Sequence, residues 1–171
     1  MNIMKEIRIE KLTLNIGAGK DQVQLEKGMA LLKNLTGIDP VKTHARKRIP
    51  EWGLRPGLPI GCKLTIRKGT GKELLKRLLD AKGNVLRKSN FDDNGNISFG
   101  IHEYIDIAGI EYDPKIGVMG LQACVTLERP GFRIKRRARG RAHLPKCHRI
   151  TQQEAIGFMR EQFGVKIGEE E

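Results

Sequence analysis

Basic side chains collect on one stretch of this chain, between Val41 and Lys63. The stretch opens with Lys42, His44, Arg46, Lys47 and Arg48 and runs into Ile49-Pro-Glu-Trp-Gly-Leu-Arg-Pro-Gly-Leu-Pro-Ile-Gly61. Clustered cations of this kind bind phosphate groups. The prolines restrict the conformations that the loop loses on docking, which lowers the entropic cost of binding. The pattern therefore predicts a loop that presents Arg55 at its tip to an anionic partner.

A second basic segment lies between Glu128 and Glu154, where the sequence contains no acid. Its cations include Arg133, Lys135, Arg136, Arg137, Arg139 and Arg141. Like charges at this density repel one another, so we expect the segment to be mobile alone and to order on a polyanion. Whether it contacts RNA or a neighbouring protein stays open.

Two short glycine turns, Gly17-Ala-Gly19-Lys20 and Gly69-Thr-Gly71-Lys72, resemble part of a nucleotide-binding phosphate loop. The complete motif needs another glycine five positions earlier and a Ser or Thr after the lysine. Asp21 and Glu73 occupy that last position here. Both segments therefore predict turns, and nothing in the sequence supports NTP hydrolysis.

Three residues near the second basic segment, His143, Cys147 and His148, are of types that bind zinc or serve a Cys-His hydrolase. No Cys-x-x-Cys pair accompanies them, and nothing marks an oxyanion site. The Asn90–Gly95 run begins like a calcium loop but has Ile101 where the ion requires glutamate. We predict no metal and no cofactor. An RNA-processing enzyme built on those three residues stays as an alternative.

Trp52 is the sole tryptophan and lies inside the first basic loop. Two interpretations are open. Its indole either anchors the loop to the body of the protein or stacks on a nucleobase of a bound RNA.

The whole chain is strongly basic. Its 32 Lys+Arg against 20 Asp+Glu leave a net charge of +12, and 39% of its 171 residues are apolar. A charge of this sign favours nucleic acid, with RNA binding and DNA packing both open. The basic runs lack helical periodicity and no apolar run approaches a membrane span, so we expect a cytoplasmic protein. Three separated cysteines argue against a disulfide framework, and we expect each to be buried or half-buried.

Apolar periodicity predicts the elements that position these residues. Strands are expected over 7–15, 62–66, 97–101 and 121–127, and helices are expected to begin at Asp21, Thr70 and Thr151 and to end at Gly37, Gly83 and Gly164. An Asp92–Gly95 turn precedes the third strand. The pattern predicts a single α+β domain spanning 1–171: an antiparallel sheet with helices on one face, projecting basic loops at 42–61 and 129–150, and an acidic tail at 169–171.

Three segments, in sequence order, closely resemble large-subunit ribosomal protein five, the universal 5S-rRNA-binding family. They are Ile9-Glu-Lys-Leu-Thr-Leu-Asn-Ile-Gly-Ala-Gly19, Leu35-Thr-Gly-Ile-Asp-Pro-Val-Lys-Thr-His-Ala-Arg-Lys-Arg48 and Leu54-Arg-Pro-Gly-Leu-Pro-Ile-Gly-Cys-Lys-Leu-Thr-Ile-Arg67. The resemblance runs from about Ile7 to Lys166. Arg129-Pro-Gly-Phe-Arg-Ile134 and Lys146-Cys-His-Arg-Ile-Thr151 are similar to the archaeal and eukaryotic branch, and the short chain indicates an archaeal member.

The resemblance implies a non-catalytic constituent of the large ribosomal subunit that attaches 5S rRNA to the central protuberance. It implies 5S rRNA contacts at Lys11, Asn15 and Thr65, around which we expect Thr43, Arg46, Lys47, Arg48 and Arg67 to contribute. It also implies a contact with P-site tRNA through Leu54, Arg55, Pro56, Gly57, Leu58 and Pro59. Large-subunit rRNA, neighbouring proteins of the central protuberance and a small-subunit head protein, contacted in an intersubunit bridge, complete the expected partners.

Overall fold

A computed structural model describes residues 2–67 and 70–168 of the chain. Within them lie the strands β1 Arg8–Gly17, β2 Val41–His44, β3 Pro59–Ile66, β4 Val85–Arg87, β5 Asn96–Ile101, β6 Leu121–Glu128 and β7 Lys166–Gly168. The helices are α1 Gln22–Thr36, α2 Gly71–Ala81 and α3 Gln152–Phe163. Five strands form an antiparallel sheet in the order β2-β3-β1-β6-β5, and the three helices complete an α+β fold. The predicted fold class is confirmed; the predicted tail at 169–171 lies outside the described residues.

A second, two-stranded sheet joins β4 to β7 in parallel. Neither strand was predicted, because three residues are too few to show an alternating pattern. The chain divides into two compact units, one comprising 1–12, 67–99 and 124–171 and the other comprising 13–66 and 100–123. The second unit holds the predicted 5S rRNA contacts apart from Lys11 and Arg67.

Helix α1 packs against β3, the neighbour of β1 in the five-stranded sheet. The Asp21 carboxylate accepts hydrogen bonds from the Val23 and Gln24 N–H groups, and Gly37 ends the helix in the left-handed conformation at φ 71°, as the sequence predicts. Gly28 allows close packing, because a Cβ there would lie 3.2 Å from Cys62 Sγ. One face of the sheet is thus covered by α1, and we call the opposite side the outer face.

Helices α2 and α3 belong to the first unit. Thr151 and Glu154 form the predicted capping box at the start of α3. The capping box predicted at Thr70 is wrong: Thr70 has helical dihedral angles (φ −60°, ψ −8°) and its side chain makes no cap hydrogen bond. An N-cap needs an extended backbone for its side-chain oxygen to reach the N–H groups of the first turn. The inward leucines of α2 are nonetheless buried as predicted, namely Leu74, Leu75, Leu78 and Leu79.

The turn before β5 forms as predicted. The Asp92 carboxylate accepts hydrogen bonds from the N–H groups of Asn94 and Asn96, at 2.8 and 2.7 Å. Gly95 adopts φ 75°, and a Cβ at this position would lie 2.6 Å from the Ile150 side chain. Only glycine satisfies both constraints without strain.

Candidate nucleic-acid interface

Strand β1 has one apolar and one polar side. Leu12, Leu14 and Ile16 are buried, whereas Lys11 and Asn15 alternate with them and are half-exposed. Because successive side chains of a strand point to opposite faces, Lys11 and Asn15 share the outer side of β1. Two of the predicted RNA contacts are therefore placed together by one strand.

Strand β3 neighbours β1 and continues the same pattern. Leu64 and Ile66 are buried, while Thr65 is half-exposed and Lys63 is exposed on the outer side. Arg67 follows the strand and is exposed. The alternation predicted for β3, apolar on one face and basic on the other, is confirmed.

Strand β2 forms one edge of the sheet. The loop predicted over residues 42–61 is shorter in the structure. Residues 41–44 pair antiparallel with β3, so both ends of the predicted 42–61 loop are strand. Thr43 lies opposite Gly61, and paired residues of antiparallel strands share a face. Thr43 therefore joins Thr65 on the outer face. A register shift after Thr43 leads the chain into the segment that we call the 45–58 loop.

The 45–58 loop is held by its own backbone. Ala45 and Leu58 are joined by a 2.8 Å hydrogen bond, and Ile49 and Leu54 exchange two, at 3.1 and 3.0 Å. Gly57 has φ 85° and donates to the Ala45 carbonyl at 3.0 Å. The loop is consequently a structured projection whose backbone is ordered before any partner binds.

Within that loop the two large apolar side chains Trp52 and Leu54 have different surroundings. Leu54 is buried at 6% exposure, whereas Trp52 is 66% exposed. The interpretation of Trp52 as an anchor for the loop is therefore wrong; Leu54 fills that role. The other tRNA-contact residues implied by the resemblance divide between exposed (Arg55, Pro56, Gly57) and half-exposed (Leu58, Pro59).

The cations around these strands and the loop are available to an external anion. Within residues 2–67 and 70–168, none of them forms an ion pair: Lys11, Lys42, Arg46, Lys47, Arg48, Arg55, Lys63 and Arg67. All but the half-exposed Lys11 are exposed. Unneutralised charge concentrated in this way raises the local concentration of a polyanion.

The second basic segment is joined to other parts of the first unit by ion pairs, and its expected mobility in the absence of a polyanion stays a prediction. Arg136 pairs with both Glu10 and Glu128, and the nearly buried Arg129 pairs with Glu154 at 2.6 Å. These acids lie outside the segment in sequence, which is why its own composition did not reveal them. Arg136 is therefore held by ion pairs although it is exposed, whereas Arg133, Arg139 and Arg141 are exposed and form no ion pair among the described residues.

Two further cations of that segment have local partners. Arg137 donates to the Gly140 carbonyl at 2.6 Å, and the Lys135 ammonium lies 4.7 Å from the centre of the Phe132 ring. The segment also contains short 3₁₀ helices at Phe132–Lys135 and Lys146–His148.

The Glu154 carboxyl carries the clearest electrostatic effect in this segment. Burial raises its pKa, but hydrogen bonds from the Thr151 N–H and the Arg129 guanidinium, together with the Arg129 charge, outweigh burial. The pKa of Glu154 consequently lies below its ordinary value. The ionised carboxylate is therefore part of the folded structure.

The residues considered for zinc or hydrolytic chemistry do not assemble a site. His148 Nε2 lies 2.9 Å from the Pro130 carbonyl oxygen, and its ring packs edge-on against Phe132. His143 and Cys147 are exposed, so the expectation of a buried or half-buried thiol is wrong for Cys147. No group of three metal-binding side chains occurs among the described residues.

An acidic segment between β5 and β6 was not predicted as a functional surface. Residues 102–119 contain Glu103, Asp106, Glu111 and Asp113 against a single lysine. They also expose Ile105, Tyr112 and Val118. Buried Tyr104 holds the segment, since its hydroxyl accepts a 3.0 Å hydrogen bond from the Asp113 N–H. The local excess of acid in a basic chain was the signal that could have revealed this surface.

An open cavity of about 410 Å³ also lies on the second unit, where β1 and β5 end and β6 begins. Asn15, His102 and Gln122 line it together with Gly17, Gly100 and Gly120. It therefore adjoins one of the predicted RNA contacts. The described helices include none that is long and apolar enough to cross a bilayer.

Comparison with known proteins gives a consistent result along the chain. Residues 2–55 match the family model "Ribosomal protein L5", and residues 59–158 match the model for the C-terminus of the same ribosomal protein family. The large ribosomal subunit protein uL5 of Sulfurisphaera tokodaii is 46% identical over 170 residues, covering 99% of this chain and 96% of that protein. The Nanoarchaeum equitans protein of the same name is 48% identical over 165 residues, 96% and 97% of the two chains.

A methanogen relative extends the similarity within the archaea. The large ribosomal subunit protein uL5 of Methanococcus maripaludis is 41% identical over 167 residues, covering 96% of this chain and 92% of that protein. The predicted resemblance to this family, including its archaeal branch, is confirmed. The chain belongs to the family of large ribosomal subunit protein uL5, so it is a structural constituent of the large ribosomal subunit and not an enzyme.

Proposed function

We propose that this protein attaches 5S rRNA to the central protuberance of the large subunit through its outer face. The observation that carries the proposal is the set of cations on the outer side of β1 and β3 and on the 45–58 loop that have no ion-pair partner among the described residues. Asn15, Thr43 and Thr65 stand among them and offer hydrogen bonds to sugar and phosphate. Charge supplies affinity, and the polar groups fix the position of the RNA.

The 45–58 loop contacts P-site tRNA in this proposal. Its hydrogen-bonded backbone and buried Leu54 support a rigid probe, and rigidity lowers the entropic cost of each encounter. Arg55 is exposed at the tip and Trp52 is exposed nearby. A cation and an aromatic ring are suited to the phosphate and the bases of a structured RNA.

The acidic 102–119 segment supplies the intersubunit bridge. Its carboxylates disfavour RNA, whereas its exposed Ile105, Tyr112 and Val118 are typical of a protein interface. A basic partner surface complements both features. We therefore assign the small-subunit head protein to this segment, while large-subunit rRNA and neighbouring proteins of the central protuberance adjoin the rest of the chain.

Binding of purified 5S rRNA to alanine variants tests the proposal. Lys11→Ala is expected to weaken binding and to lower the salt dependence by about one counterion, because one phosphate contact is removed. Asn15→Ala and Thr65→Ala are each expected to weaken binding about fivefold without changing the salt dependence, since each loses one hydrogen bond. The 5S rRNA of Sulfurisphaera tokodaii, whose uL5 protein is 46% identical to this chain, is a suitable probe.

Lys166→Ala is the matched control, because Lys166 is an exposed lysine in β7, a strand of the two-stranded sheet rather than of the five-stranded one. It is expected to leave the affinity unchanged. Unchanged affinity in all of the Lys11, Asn15 and Thr65 variants would remove the outer face from the interface.

A further inference from the structure

We propose that the cavity at the ends of β1, β5 and β6 receives one unstacked nucleobase of the bound RNA. This inference rests on the proposed function, because it names the chemical group that one part of the outer face recognises. The volume, about 410 Å³, falls within the roughly 300–1,000 Å³ of small-molecule sites. Unpaired bases of loops and bulges are the elements of RNA that such pockets accept.

The polar groups of the cavity match the edge of a base. Asn15 Nδ2 donates to Gln122 Oε1 at 3.4 Å, which orients the two amides side by side. That bond leaves the Asn15 side-chain oxygen available as an acceptor and the Gln122 amide N–H available as a donor, and both residues line the cavity. Every nucleobase presents neighbouring donor and acceptor atoms on its Watson–Crick edge.

His102 completes the chemistry of the cavity. His102 is exposed and is one of the residues that line the cavity. An imidazole is a flat surface on which a base can stack. The cavity thus combines a hydrogen-bonding edge with a planar neighbour, which suits a base better than a phosphate.

Glycines create the depth of the cavity. At Gly100 and at Gly17 a Cβ would meet no atom within 4 Å, and neither residue has a positive φ. Neither glycine is therefore required by packing or by backbone conformation. What a side chain at either position would change is the open space itself, which it would partly fill.

Gly120 has a different role. A Cβ there would lie 2.8 Å from the carbonyl oxygens of Ile101 and His102. Gly120 therefore lets the chain pass close to the end of β5, and its substitution would distort the wall of the cavity. Of the three glycines, Gly100 and Gly17 are the ones that allow the cavity to be filled without disturbing the fold.

Gly100→Val is the decisive variant, because valine fills the cavity and favours the strand conformation. We expect an unchanged or raised melting temperature and about a tenfold loss of 5S rRNA affinity, the size of one base contact. The slope of affinity against salt should stay unchanged, since no charge is removed. Ser98→Val is the control. It places a valine two residues earlier on the exposed side of β5, outside the cavity.

Chemical probing locates the base. With dimethyl sulfate and a carbodiimide, the wild-type protein should protect one unpaired base of 5S rRNA that regains reactivity with Gly100→Val, while the other protections remain. Equal affinity and an identical footprint for Gly100→Val and Ser98→Val would overturn the cavity assignment and leave the proposed function standing. A wild-type protein that does not bind 5S rRNA would instead refute the proposed function.

The proposal can still be tested if the Gly100→Val protein folds poorly. If Gly100→Val lowers the melting temperature, Gly17→Val fills the same cavity from β1 and is judged by the same footprint. Restored reactivity at one base supports the assignment, and an unaltered footprint overturns it.

Discussion

Arg55 and Arg136 carry the same charge in opposite surroundings. Both are exposed, but Arg55 lies at the tip of the 45–58 loop without an ion-pair partner among the described residues, whereas Arg136 lies between the carboxylates of Glu10 and Glu128. Glu128 is only 7% exposed, so its charge needs its two cationic partners, Arg136 at 2.8 Å and Arg8 at 2.7 Å. The position of an arginine relative to acids, rather than its presence in a basic run, separates candidate RNA contacts from residues that hold the fold.

Arg55→Ala is expected to separate tRNA contact from 5S rRNA binding. The substitution removes an exposed cation without a partner among the described residues, so stability should change by less than about 0.5 kcal/mol. We expect unchanged 5S rRNA affinity and faster dissociation of P-site tRNA from reconstituted ribosomes, measured by filter binding.

The matched control for Arg55→Ala is Arg139→Ala, an exposed arginine of the other basic segment. It should leave tRNA dissociation unchanged. Loss of 5S rRNA binding with normal tRNA retention in Arg55→Ala would reverse the two assignments.

Among the elements, the start of helix α3 shows how one residue links local and remote structure. Glu154 accepts from the Thr151 N–H at 2.9 Å and pairs with Arg129 at 2.6 Å. Arg129 is 5% exposed and also donates to the Arg149 carbonyl at 3.2 Å. The capping box thereby fixes the second basic segment to α3.

Glu154→Gln is expected to lower the free energy of unfolding at neutral pH by about 1–2 kcal/mol, because a charged hydrogen bond to buried Arg129 is lost. The pKa of Glu154 is lowered on folding. Its contribution is therefore complete above the unfolded pKa, about 4.3, and disappears as the pH falls through the lower folded value. Urea unfolding between neutral and acid pH measures both effects.

In that experiment the wild-type and Glu154→Gln stabilities should converge as the pH falls below about 4. Glu161→Gln on the same helix is the control, since Glu161 is exposed. A stability difference that stayed constant down to acid pH would show that the carboxylate charge is not responsible.

A feature of these elements can be predicted from the sequence when the residues that cause it are close neighbours in the chain. The caps at Asp21 and Thr151 and the turn at Asp92 were predictable because each involves residues that are close neighbours in the chain. The capping box predicted at Thr70 does not form, because the Thr70 backbone is itself helical. The β4–β7 pair and the Arg136 ion pairs with Glu10 and Glu128 join separate segments of the chain, and no local pattern contains them.

The same distinction applies to the candidate site. Alternation placed Lys11, Asn15 and Thr65 on the polar sides of their strands correctly. The cavity beside Asn15 was not predictable, because it depends on Gly100 and Gln122 from strands much later in the chain. Trp52 was misassigned because loop sequence alone does not show that Leu54 fills the interior.

At the scale of the whole molecule, charge is segregated along the chain. The net +12 is concentrated on the 45–58 loop, the adjoining strands and the second basic segment, while the acids of 102–119 form a segment of their own. Such a distribution suits a protein that meets RNA on one surface and another protein on a different one. Neither surface requires a catalytic group.

The most direct test of this account is the affinity of the isolated wild-type protein for 5S rRNA between about 50 and about 200 mM salt, beside duplex DNA of equal length. With about six phosphates engaged, affinity for 5S rRNA should fall about a thousandfold over that range. At each salt concentration we expect at least about tenfold preference over DNA, since shape and base contacts add to charge. Failure to bind 5S rRNA at low salt, or equal affinity for both nucleic acids, would contradict the account.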